Sequence, residues 1–141
     1  MSEKNTLDGL FRLVHTLKRN LHEQIEHLDL DITPMHVRVL KIISRKTQCT
    51  AIDISNYLDR DKAQVTRLIK VLLDQRLIVK EANPEDKRSQ WLRVTDEGNI
   101  VMEKIAHVDE LILKKMTQDM SSEELEAFQE TTSKIVRNLS D

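Results

Sequence analysis

Glycine and proline occur only twice each in 141 residues, at Gly9, Gly98, Pro34 and Pro84. So few chain breakers leave little room for long loops, and a mostly helical protein is expected. Aromatic residues are scarce at 3%, which argues against a β-sandwich core; 39% apolar and 33% charged residues suit long amphipathic helices instead. The single cysteine, Cys49, excludes an internal disulfide and any Cys-x-x-Cys metal or redox pair. No apolar run approaches the roughly 20 residues needed to span a bilayer. The opening Met1-Ser2-Glu3-Lys4-Asn5-Thr6 has no basic start followed by an apolar stretch, so no secretion signal is expected and the location should be cytoplasmic. A glycine-rich phosphate loop, a Gly-x-Ser-x-Gly elbow and a His-Glu-x-x-His pair are all missing, which points away from an enzyme and implies no cofactor. His15, His22, His27, His36 and His107 show no metal-ligand spacing, so no metal is expected.

The formal net charge is −2, yet its distribution is uneven. Residues 1–32 carry −2, residues 33–93 carry +6 and residues 94–141 carry −6. A basic middle between acidic ends is suited to phosphate, and the flanks do not compete for it. The length allows one compact domain, or one domain with an appended helical layer.

Between Thr6 and Leu28, Leu7, Leu10, Phe11, Val14, Leu17, Leu21, Ile25 and Leu28 recur at spacings of three, four and seven, which predicts a helix over 6–28. That helix is too long for a small domain to cover, so a partner chain is expected along it. Thr33-Pro34 reads as an N-cap followed by proline at the first helical position, opening a helix through Val37, Leu40 and Ile43. Thr50 opens a short helix with Ile52, Ile54 and Leu58 expected inward. Asp61 caps a basic helix to about Gln75, with Val65, Leu68, Ile69 and Leu72 inside. Leu77-Ile78-Val79 and Trp91-Leu92-Arg93-Val94 read as strands joined by a turn at Asn83-Pro84. Thr95 and Asp96 start a long helix with Ile100, Ile105, Val108, Ile112 and Met116 as its stripe. Ser121-x-x-Glu124 is a capping box before a last helix carrying Leu125, Phe128, Ile135, Val136 and Leu139.

The basic helix carries Lys62, Ala63, Gln64, Thr66, Arg67 and Lys70 on its outer positions. Arginine pairs bidentately with guanine, glutamine with adenine, small residues allow close approach, and lysines hold phosphate oxygens. The hairpin tip carries Asp86, Lys87 and Arg88. An arginine there can enter a minor groove, and Asp86 is expected to orient its guanidinium. A basic helix followed by a cationic two-stranded ribbon is the arrangement of a winged helix-turn-helix on duplex DNA. The fold class is therefore mainly α, within α+β. A winged helix-turn-helix lobe over 33–95 is framed by dimerisation helices over 6–28 and 96–139, with 1–141 as a single domain. The rival reading is a helical protein–protein interaction module whose basic middle binds an acidic partner.

Asp61-Lys-Ala-Gln-Val-Thr-Arg-Leu-Ile-Lys-Val-Leu-Leu73, then Leu77-Ile-Val79, Asn83-Pro-Glu-Asp-Lys-Arg88 and Leu92-Arg-Val-Thr-Asp-Glu-Gly98 resemble the MarR family of bacterial transcriptional regulators. The resemblance covers nearly the whole chain, including Thr33-Pro34 and the last capping box. It implies a cytoplasmic, nucleoid-associated homodimer, acting as repressor or activator on a palindromic operator in double-stranded DNA. Arg67 falls where the family reads the major groove and Arg88 where it inserts the wing arginine, with Asp86 as partner. It also implies a small aromatic or acidic ligand near the junction of the dimer helices and the DNA lobe, for which His15, Arg19, His36 and Arg38 are the candidate liners. Where the family usually has glycine near the end of the basic helix, this chain has Gln75-Arg76, a departure at the C-cap; a left-handed conformation at Arg76 would cost on the order of 1 kcal/mol. Cys49 precedes the third helix, whereas the family's oxidant sensors carry their thiol in the first, so it is expected to be a packed residue rather than a sensor.

Overall fold

The computed structural model describes residues 3–140, with side chains described from Asn5 onward. Met1, Ser2 and Asp141 lie outside the described residues, and with them the ends of the 1–141 domain and the start of the segment tested for a secretion signal. The order of elements is α1 (Glu3–Glu26), α2 (Pro34–Arg45), α3 (Ala51–Leu58), α4 (Lys62–Asp74), β1 (Ile78–Glu81), β2 (Trp91–Val94), α5 (Asp96–Met116) and α6 (Ser122–Leu139). The chain divides into two compact units, Met1–Val108 and Asp109–Asp141, with the division falling inside α5.

In the first unit, the starts of α2, α3 and α4 have local chemical causes. Thr33 and Thr50 accept from the N3 backbone N–H of α2 and α3, and their own backbone N–H groups are taken by His36 and Asp53 in return. Asp61 accepts from Gln64 N at 2.8 Å and starts α4. α2 is the central helix, with Val37, Val39, Leu40 and Ile43 all buried, and it packs on α1, α3, α4 and β2. Ile25, Ile32, Cys49, Ile54, Val65, Ile69, Leu72, Leu77, Ile78, Leu92, Val94, Val101 and Ile105 join them in the core. β1 and β2 pair antiparallel, with Ile78 opposite Val94 and Lys80 opposite Leu92. The Cys49 carbonyl accepts from Leu92 N at 2.7 Å, so β2 is flanked on both sides.

Three expectations about inward faces are corrected. Ile52 is 56% exposed: it sits two residues from Ile54, about 200° around the helix, so both cannot point to the core. Ile100 is 54% exposed, because α5 buries Val101, Ile105, Val108 and Ile112 and Ile100 is one residue off that stripe. Met116 is likewise exposed. Boundaries also shift: α1 spans Glu3–Glu26 rather than 6–28, and Leu77 packs as a buried residue just ahead of β1.

The second unit comprises the end of α5, a turn with Asp119 at φ 60°, and α6. Ser121 and Glu124 form the expected capping box. None of the α6 residues is buried within the chain, and Phe128, Ile135, Val136 and Leu139 are all exposed.

Candidate nucleic-acid interface

The turn between α3 and α4 is sharp because Asp59, the C-cap of α3, adopts φ 51° and ψ 48°. Aspartate tolerates that left-handed conformation better than most residues. The turn projects α4 with Lys62, Ala63, Thr66, Arg67 and Lys70 exposed and Gln64 half-buried. Its opposite face, Val65, Ile69 and Leu72, is buried against the core, which fixes the rotation of the helix. The far end is held twice. Gln75 Nε2 donates to the Asp31 carbonyl at 2.6 Å, and Thr95 Oγ1 donates to the Arg76 carbonyl at 2.7 Å. Arg76 does adopt φ 62°, and Leu77 N closes back on the Leu72 carbonyl at 3.0 Å.

The side chains of α4 are partly committed within the protein. Thr66 Oγ1 donates to the Lys62 carbonyl at 2.8 Å, so its hydroxyl proton is spent inside the helix and its methyl and lone pairs remain. Arg60 Nη1 donates to Gln64 Oε1 at 3.4 Å, a contact that sequence spacing did not single out.

The hairpin tip is built by short-range bonds. Glu85 N donates to Asn83 Oδ1 and Arg88 N donates to Asp86 Oδ1, both at 3.0 Å, with Ser89 N closing on the Asp86 carbonyl. Asp86 thus holds the Arg88 backbone rather than its guanidinium, which corrects the expected pairing. The outcome is still positional, since the backbone that presents Arg88 is pinned. Asp86, Lys87 and Arg88 are all exposed.

Two clefts flank α4. One, of about 210 Å³, lies between α3, α4 and the wing, and brings Lys62, Thr66 and Arg88 together with Ile52, Lys80 and Gln90. The other, of about 260 Å³, gathers Arg67 and Gln64 with Arg60, His36 and Met35. Of the four candidate ligand-lining residues only His36 faces a cleft of these two; His15, Arg19 and Arg38 are exposed and line neither. His36 is also the capping residue of α2, with Nδ1 accepting from Thr33 N at 2.9 Å, and burial lowers its pKa below the ordinary value. Lys80 was missed by sequence reading, and only the strand register reveals it.

Cys49 is fully buried, and burial, reinforced by the Asp53 carboxylate, pushes its thiol up to about 11. A thiol held protonated at neutral pH is a poor nucleophile, as its packed position implies. Asp53 is held below the ordinary carboxylate range by the Thr50 backbone N–H, with Lys46 adding at 2.9 Å. Among the described residues no cluster of three His, Cys, Asp or Glu is arranged around a metal position, and no helix is long and apolar enough to cross a membrane.

A profile of the MarR family matches residues 30–89. The HTH-type transcriptional regulator BilQ of Clostridioides difficile is 38% identical over 66 residues, covering 47% of this chain and 45% of that protein. The chain thus spans about half the length of the first curated relatives it matches, with 57% of the Bacillus subtilis regulator YdgJ covered. The multiple antibiotic resistance protein MarR of Escherichia coli is 24% identical over 135 residues, 94% of each chain. The fold matches that of S. aureus MepR, solved in complex with DNA, with a TM-score of 0.80 at 23% identity, covering 94% of this chain and 97% of that one. Helix order, wing and the stretch matched by the profile are all similar to those of the MarR family.

Proposed function

We propose that the protein is a sequence-specific double-stranded DNA-binding transcriptional regulator, acting as a homodimer on a palindromic operator in the bacterial cytoplasm, and not an enzyme. One observation carries the reading: the exposed side of α4 and the pinned tip of the wing border one cleft, with Lys62 and Arg88 both lining it. Arg67, with Lys62, Ala63, Gln64, Thr66 and Lys70 around it, reads the major groove. Arg88, with Lys87 beside it and Asp86 fixing its backbone, enters the minor groove. The helices over 6–28 and 96–139 supply the dimer contact. A small aromatic or acidic ligand shifts the spacing of the two reading helices from the roughly 34–36 Å that two half-sites on one face of DNA require.

The test is binding to duplexes recovered by selection from genomic fragments. Arg88→Ala should weaken operator binding at least tenfold with the oligomer unchanged by sedimentation. Arg67→Ala should flatten the selection logo at one or two positions, at a cost in discrimination of roughly 1–3 kcal/mol for each lost bidentate contact. Unchanged affinity in the first variant and an unchanged logo in the second would refute the assignment. A basic lobe serving an acidic protein partner would show no sequence preference among duplexes.

A further inference from the structure

Lys80 occupies an unusual place. Residues opposite one another in an antiparallel pair share a face, and Lys80 is opposite Leu92 while Ile78 is opposite Val94. Ile78, Leu92 and Val94 are buried, so Lys80 is the one charged residue on the core-covering face of the β1–β2 ribbon. It is exposed because that face opens at this point into the cleft beside α4. Ile52, Ile69 and Leu92 supply apolar surface to the cleft, and Lys62, Lys80 and Arg88 supply charge. No carboxylate lines it, and among the described residues Lys80 has no acidic partner. Ile52 adds a large apolar side chain, 56% exposed, beside these three cations.

Resting on the DNA-binding reading above, we infer that this cleft is a saddle for the sugar–phosphate strand. A recognition helix in the major groove and a wing in the adjacent minor groove must straddle one backbone strand, and the cleft is the space between them. Lys80 takes a non-bridging phosphate oxygen from the core side of the ribbon. Ile52 packs on the carbon face of the adjoining deoxyribose. Both residues then position the protein on the duplex without reading sequence.

The experiment uses the full-length protein and fluorescence anisotropy on the selected operator and a random duplex, across a salt series. Lys80→Gln should weaken both duplexes by the same factor, about tenfold, and reduce the slope of log K against log salt by ~0.9 per engaged subunit, or ~1.8 for a dimer on both half-sites. Ile52→Ser should weaken both severalfold while leaving the slope intact. One methylphosphonate placed in turn along the operator should find a phosphate whose neutralisation costs the wild type and not Lys80→Gln. Both side chains are exposed, so unchanged melting curves are expected. An unchanged slope in Lys80→Gln, a loss confined to the operator, or full affinity in Ile52→Ser would overturn the saddle while Arg88→Ala still weakens binding. Wild-type protein that binds no duplex would overturn the DNA reading itself, and the saddle with it.

Discussion

Arg76 carries a backbone cost that its sequence neighbours do not relieve. At φ 62° a side chain with a Cβ is disfavoured, and the position is kept because Thr95 holds the Arg76 carbonyl while Leu77 and Ile78 enter the core. Arg76→Gly should therefore raise stability by up to about 1 kcal/mol, read as a higher urea midpoint with unchanged slope. Gly98 shows the opposite constraint. It lies in the first turn of α5, and a Cβ there would collide with the Leu77 carbonyl oxygen and the Val94 side chain. Gly98→Ala should cost at least about 2 kcal/mol in thermal or urea unfolding, since backbone on one side cannot yield as a flexible side chain would. A variant as stable as wild type would show that α5 can swing clear.

The start of α2 contains a pH-dependent cap. His36 must be neutral at Nδ1 to accept from Thr33 N, and burial lowers its pKa from 6.5. The unfolded chain protonates first as pH falls, near 6.5, while the folded His36 resists until a lower pH. Its contribution is thus complete above about 6.5 and is lost as pH falls from there through the lower folded value. His36→Gln keeps an acceptor at the same capping position at every pH. Urea midpoints from pH 7.5 to 5 should show the wild type losing stability relative to His36→Gln below pH 6.5; parallel curves would remove the cap from the account. The starts of α3, α4, α5 and α6 use Thr50 with Asp53, Asp61, Thr95, and Ser121 with Glu124. α2 alone rests its box on an imidazole.

Taken over the chain, much apolar surface is left open. On α1, Leu7, Leu10, Phe11, Leu13 and Val14 are exposed, with Phe11 at 63%, and α6 buries nothing of its own. Isolated exposed apolar residues are ordinary, but stripes at helical spacing mark contact surfaces. If the proposed homodimer covers them, folding is linked to association, and the urea midpoint should rise with protein concentration. Phe11→Glu should lower the sedimentation mass and weaken operator binding together. A midpoint independent of concentration would mean the stripes serve another purpose.

Helix order, the caps at Thr33, Thr50, Asp61 and Ser121, the hairpin and the exposed cations of α4 were all legible in the order of residues. These depend on local chemistry: capping oxygens, breakers and a 3.6-residue period act over a few positions and are written where they act. Faces were less so. Ile52, Ile54 and Leu58 are equally apolar, and which of them reached the core depended on how α3 docked on α2 and α4. Asp86 could bond the guanidinium or the backbone of Arg88, and the turn geometry chose the backbone. Lys80 gained its place in the cleft only through pairing with Leu92, because a strand shows its two faces alternately and register alone says which one the core takes.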